Sequence, residues 1–205
     1  TTTIDPVFGI SEDNGLPNFE GRIAYGMGPL NPVTATRPIV LGVSAVVGQL
    51  RTTTTMPVGR VITDVWGIGV DFRVPFSESC GIAGEMFSGQ GLGTYNAGVL
   101  QNINRDTLGS LRTSGGWCEF FAYLTPRLHS HSGFGIDDPK NQDVGTSPVA
   151  FGRTQNTTIY SNLLWDVNSV FRIGTELAWR DTNYASPLVR NNDGLGFHTQ
   201  FQWSF

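Results

Sequence analysis

The chain has 205 residues, a formal net charge of −4, 15% charged residues, 11% aromatics and 26 glycines. A soluble domain is typically about a quarter charged and about 7% glycine, so charge is scarce here and glycine abundant, while the aromatic content excludes a disordered chain. Lys140 is the single lysine and no basic run exists, so the footprint of a nucleic-acid partner is absent. No run of 18 apolar residues offers a transmembrane helix. The first residues lack the basic start and apolar core of a leader, and two cysteines cannot build a disulfide framework.

Period-two alternation, the mark of a strand with two unlike faces, recurs along the whole chain. Residues 18–26 set Phe19, Ile23 and Tyr25 against Glu20, Arg22 and Ala24. Residues 39–49 set Leu41, Val43 and Val47 against Gly42, Ser44 and Val46, and residues 62–74 set Trp66, Ile68, Val70 and Phe72 against Gly67, Gly69, Asp71 and Arg73. Residues 82–88 carry Glu85 on the polar face. Over 117–124 hydrophobicity does not choose a face. Glu119 does, because a carboxylate turned to lipid costs a few kcal/mol. Cys118, Phe120, Ala122 and Leu124 are therefore expected outside.

Residues 128–136 oppose Ser130, Ser132, Phe134 and Ile136 to His129, His131, Gly133 and Gly135. Residues 158–165 align Ile159, Ser161, Leu163 and Trp165 on one face. In 170–180, Phe171, Ile173, Leu177 and Trp179 oppose Arg172, Glu176 and Arg180; three charges on one face do not line a dry core. The last strand sets Leu195, Phe197, Phe201, Trp203 and Phe205 against His198, Gln200 and Gln202.

About nine strands result, each near the roughly 9–11 residues a tilted strand needs to cross hydrocarbon. Their connections alternate: short at 75–79, 125–127 and 166–169, long at 50–60, 89–116, 137–153 and 181–193. The stretch 27–37 is the exception, being long where a short turn is expected. Short turns on one side and long loops on the other, apolar-out and polar-in strands and girdle aromatics predict an all-β, antiparallel transmembrane β-barrel. A soluble β-sandwich is the alternative, and it has no reason to alternate its loops.

Several segments carry a resemblance. Phe197-His198-Thr199-Gln200-Phe201-Gln202-Trp203-Ser204-Phe205 resembles the C-terminal β-signal of bacterial outer-membrane proteins. Val65-Trp66-Gly67-Ile68-Gly69-Val70-Asp71-Phe72-Arg73-Val74-Pro75, the glycine-rich run from Gly84 to Tyr95, the segment from Thr125 to Pro139 and Arg172-Ile173-Gly174-Thr175-Glu176-Leu177-Ala178-Trp179 resemble bacterial porins. The resemblance runs from about Pro17 to the end and is nearest to the C-terminal half of dicarboxylate-channel (DcaP-like) porins. It implies a homotrimeric channel in a Gram-negative outer membrane, of about sixteen strands, passing small solutes, anionic ones included. Residues 1–205 are then a single barrel domain forming the C-terminal portion of a larger wall. The resemblance also implies that the barrel assembly machinery reads Phe201, Trp203 and Phe205.

The expected function is passive diffusion of small polar or anionic solutes; the alternative is a non-conducting barrel whose long loops bind a partner. The pore-lining candidates are Glu20, Arg22, Asp71, Arg73, Glu85 and Glu119, followed by His129, His131, Arg172, Glu176, Arg180 and His198. Rings of such charges set ion preference. Arg172 and Arg180, on one strand and one face, are the leading candidates for an anion path. No cofactor, metal or catalytic residue is expected. His129 and His131 have a spacing that suits a metal but no third ligand, and they face away from Ser130 and Ser132, which excludes a nucleophile–base pair between neighbours. Asp137, Asp138 and Asp143 read as an acidic surface loop, Gly89 to Gly93 as the start of a long loop that folds inward, and Cys80 and Cys118 as free thiols, Cys80 beside a short turn and Cys118 near the outer end of its strand.

Overall fold

The structure, a computed structural model, describes residues 10–11, 17–29, 38–52, 61–148, 150 and 152–204. Ten strands form one antiparallel sheet: β1 (Ile10–Ser11), β2 (Phe19–Met27), β3 (Ile39–Thr52), β4 (Ile62–Pro75), β5 (Cys80–Gln90), β6 (Arg112–Thr125), β7 (Leu128–Pro139), β8 (Arg153–Asp166), β9 (Phe171–Tyr184) and β10 (Asn192–Trp203). From β3 onward each strand pairs with the next in sequence. β1 and β2 share the free side of β3, with Ser11 opposite Arg51 and Phe19 opposite Val47. Among the described residues β2 pairs only with β3, and β10 only with β9. Both edge strands run from the long-loop side to the short-turn side.

The faces follow from the alternation. On β4, Ile62, Trp66, Ile68 and Val70 are exposed while Thr63, Val65, Gly67 and Gly69 are buried. On β10, Leu195, Phe197, Phe201 and Trp203 are each more than 60% exposed. Apolar side chains this open have no place in water over so many adjacent strands; they match the outward band of a barrel in hydrocarbon. No helix among the described residues is long and apolar enough to cross a membrane.

Polar residues mark where the band ends. Gln49 Nε2 donates to Asp64 Oδ1 at 2.8 Å on the outward face of β3 and β4. On β9 the outward run from Phe171 ends at Trp179, two residues below Asp181, which faces Asp193 of β10. That run is about 26 Å of strand at roughly 3.3 Å per residue, enough for an apolar band of about 25 Å. At the other end Phe171 lies 4.3 Å from Trp203 and stacks on Phe201, an aromatic girdle by the short turns.

Several strands extend past their expected ends. β6 begins at Arg112 rather than Trp117, β8 at Arg153 rather than Thr158, and β10 takes in the turn-like Asn192-Asp193-Gly194. These extensions lie on the long-loop side, beyond the apolar band, where both faces are polar and period two has no hydrophobic contrast to show. Cys118 is corrected with them. It pairs with Gly84 and Phe134 in the middle of β6, not near its outer end. Both cysteines are free.

Candidate functional site

The residues expected to line a pore share one face of the sheet, opposite the exposed apolar side chains of β4 and β10. Arg22 reaches over Gly42 on β3 to Asp71 on β4, donating through Nε at 2.9 Å and through Nη2 to the second carboxylate oxygen. Gly42 makes this possible, since a Cβ there would lie on both partners. Glu85 stands opposite Asp71 across β4 and β5. Arg73 places its guanidinium 3.9 Å over the Phe121 ring and reaches the Tyr123 hydroxyl at 3.4 Å. Glu20, Glu85 and Arg180 have no ion-pair partner among the described residues.

The other half of the face is organised around histidine. Glu119 joins His131 Nδ1 at 3.0 Å and accepts the Tyr160 hydroxyl at 2.8 Å. His129 Nε2 lies 3.2 Å from Asp166 Oδ2, while Arg172 Nε donates to Asp166 Oδ1 at 2.5 Å. His198 Nδ1 lies 3.3 Å from Glu176. Of the two arginines expected to carry anions, Arg172 is therefore held by a carboxylate beside the 167–170 turn, and Arg180 is not.

Residues 91–111 turn inward, as the glycine-rich start suggests. Gly91 opens the segment at φ 66°, and short 3-10 helices follow at Leu92–Tyr95 and Gly98–Leu100. Leu92, Ala97 and Ile103 bury against Leu50 and Val65 of the wall. Three polar anchors hold the segment. Asn18 donates to the Tyr95 hydroxyl at 2.8 Å. Gln101 bonds the backbone N–H and carbonyl of Arg153 at 2.9 and 2.8 Å. Asp137 accepts the Gly98 and Val99 N–H groups at 3.1 and 2.5 Å and the Thr113 hydroxyl at 2.7 Å. Asp137 is thus an anchor on the inward face, not part of an acidic surface loop. Val99 sits at φ 47° beside Gly98 at φ 63°; a β-branched residue there is strained, and the bonds to Asp137 hold it.

Between this segment and strands β2–β6 lies a cavity of about 590 Å³ lined by Glu20, Arg22, Ser44, Glu85, Tyr95 and Trp117, among others. A second latch ties the long loops together outside the band. Asp106 accepts from the Ser147 hydroxyl and from the Ser147 and Thr146 N–H groups, which holds its carboxyl below the ordinary range. Arg112 forks onto both oxygens of Asp143 at 2.6 and 2.7 Å, lowering that carboxyl too.

Phe201 and Trp203 face outward at 65% and 63% exposure; Phe205 lies outside the described residues, as does most of the 27–37 connection. Among the described residues no three metal-binding side chains converge. Tyr160, Tyr95 and Asp137 were not among the sequence candidates. Tyr160 and Asp137 share the inward parity of their strands, which is the signal that points to them; nothing local marks Tyr95.

An inward face of charge and hydrogen bonds, an outward face of aromatics, short turns below and long loops above leave one architecture. This is the wall of an antiparallel transmembrane β-barrel. No protein-family model and no curated protein matches the chain. Among solved structures, the outer-membrane channel DcaP of Acinetobacter baumannii is similar in fold, with a TM-score of 0.75 at 12% sequence identity. The match takes in 100% of this chain and 56% of that one, so the chain spans little more than half the channel's length. The neighbour is a channel, and the likeness is one of fold.

Proposed function

We propose that the chain forms part of the wall of an outer-membrane channel through which small polar solutes diffuse passively, in a Gram-negative bacterium. The observation that carries the reading is the two-faced wall: an apolar exterior and, on the opposite face, charged and hydrogen-bonding side chains such as Arg22 with Asp71, Glu119 with His131 and Arg172 with Asp166. A solute crossing such a surface exchanges hydrogen bonds with water for hydrogen bonds with the wall. The anionic preference drawn from the resemblance rests on Arg180, because Arg172 is occupied by Asp166.

The edges bear on the whole molecule. β2 and β10 run in the same direction, so antiparallel closure takes an odd number of further strands; β1 and β2 occupy one position beside β3, so the wall has nine positions, and about seven more would make the sixteen that the resemblance implies, within the range of bacterial barrels. In hydrocarbon each unmet backbone group costs several kcal/mol, so both edges call for such neighbours. Homotrimer formation, and recognition of Phe201, Trp203 and Phe205 by the barrel assembly machinery, belong to the same proposal.

The inward segment 91–111 favours one alternative, a non-conducting barrel that serves as a surface scaffold through its long loops. Reconstitution of the intact protein in a planar bilayer separates the two. Stepwise openings to a steady level support the channel; a silent bilayer with correctly folded protein supports the scaffold.

A further inference from the structure

Two short turns lie side by side at one end of the wall, residues 126–127 between β6 and β7 and residues 167–170 between β8 and β9. The Asp166 N–H donates to the Arg127 carbonyl at 2.8 Å and fastens one turn to the other. Between them opens a cavity of about 350 Å³ lined by Arg127, Asp166, Asn168, Ser169 and Arg172. We propose that this cavity is a subsite for a small oxyanion, a carboxylate or phosphate group, at the short-turn mouth of the pore, with Arg127 as its charged contact. The proposal rests on the channel reading above and adds to it a residue and a recognition chemistry.

The bonds already made decide what the cavity offers. Asn168 Oδ1 accepts the Val170 and Phe171 N–H groups, each at 2.9 Å, which spends its acceptor and leaves its amide N–H groups as donors. Thr125 Oγ1 accepts the Arg127 and Leu128 N–H groups at 3.2 and 3.0 Å and shapes the first turn. The Arg127 guanidinium and the Ser169 hydroxyl have no partner among the described residues. Arg172 gives Nε to Asp166 Oδ1 at 2.5 Å, so its Nη groups remain as donors. Asp166 is the one carboxylate among the described lining residues, and both its oxygens are engaged, Oδ1 by Arg172 and Oδ2 by His129 Nε2 at 3.2 Å.

Four donor groups therefore line a space whose carboxylate is already taken. An oxyanion, which offers acceptors only, matches that lining; a cation finds no free carboxylate there. Guanidinium bonds to carboxylate or phosphate are charge-assisted, and the planar fork meets two oxygens at once. Chloride, a single sphere, gains less from such a fork. Arg172 brings donors without net charge, since Asp166 balances it. Arg127 brings the charge and joins Arg180 as a cation without an ion-pair partner among the described residues. It stands on an exposed turn, where water weakens the hold, and conduction needs a site that an ion can leave.

The test is the reversal potential of the intact protein in a planar bilayer, with potassium chloride on one side and potassium phosphate on the other, near 0.1 M and pH 7. The ratio of phosphate to chloride permeability is expected to fall about threefold in Arg127→Gln, which loses a wall charge and its paired donors. It is expected to recover in part in Arg127→Lys, which keeps the charge without the fork. Neither variant removes a side-chain contact among the described residues, so both are expected to fold. An unchanged ratio in Arg127→Gln, or an equal loss of phosphate and chloride current, overturns the subsite and leaves the channel standing. A bilayer that stays silent with correctly folded protein overturns both.

Discussion

Tyr160 lies across Gly133, its hydroxyl passing over the intervening β7 strand to reach Glu119 on β6. A side chain at position 133 would place its first carbon 2.5 Å from Tyr160 Cζ. Gly133→Val is expected to push the ring off the wall, break the bond to Glu119 and cost about 1–3 kcal/mol. A lowered urea unfolding midpoint in lipid vesicles checks it, and Gly135→Val, which has no ring above it, serves as the comparison.

Asp137 is the strongest polar fastening of the inward segment. Asp137→Ala leaves the Gly98 and Val99 N–H groups and the Thr113 hydroxyl without their acceptor, a loss of about 1–3 kcal/mol if the donors stay dry. The segment is expected to lift from the wall. Higher unitary conductance and faster hydrogen exchange at Gly98 and Val99 are the readouts, and an unchanged conductance would remove 91–111 from the path.

The Asp106 latch has a defined pH sense. Donation by Ser147 and Thr146 lowers its carboxyl in the folded state, so the unfolded form binds a proton first as pH falls. The stabilisation is complete above the unfolded value, near pH 4, and is lost as pH drops through the lower folded value. Amide protection at Thr146 and Ser147 is expected to hold from pH 7 to 4.5 and weaken below that. Asp106→Asn should weaken it throughout.

Arg180 and Arg172 should separate in selectivity. Arg180→Glu removes a cation without an ion-pair partner and is expected to lower chloride permeability severalfold. Arg172→Gln releases Asp166 near the short-turn mouth and is expected to shift selectivity there less. Equal effects, read as reversal potentials, would show that pairing with Asp166 does not hold the Arg172 charge.

The two cysteines report orientation. Cys80 begins β5 beside the 76–79 turn, where Ser77 Oγ lies 3.3 Å from its sulfur, and Cys118 faces outward at mid-strand. In intact vesicles a charged maleimide should label Cys80 from the short-turn side and spare Cys118; both should label after denaturation.

Period two was legible wherever one face met hydrocarbon, which is why Trp66 to Val70 and Leu195 to Trp203 read correctly from either direction. Glu119 resolved the one ambiguous strand because burying a charge in lipid costs more than any apolar side chain gains. Arg112 to Gly116 looked like loop, since its glycines serve packing: a Cβ on Gly115 would sit 2.8 Å from Phe87 Cζ. Pairings such as Arg22 with Asp71 skip a strand and depend on register and on a glycine between them. Parity turns Asp137 inward and the glycine-rich start turns residues 91–111 inward, but the contacts of Asp137 with Gly98 and Val99 and the place of Tyr95 depend on the detailed path of that segment, which no local pattern encodes.

The shared direction of β2 and β10 has a bearing on how such a wall changes size. A hairpin contributes one descending and one ascending strand, so copying or deleting a hairpin anywhere between β2 and β10 leaves both seams in register with whatever completes the ring. A single strand does not. Pore diameter in relatives built on this plan would therefore change in steps of two strands, and the hairpin is the natural module for anyone wishing to widen it.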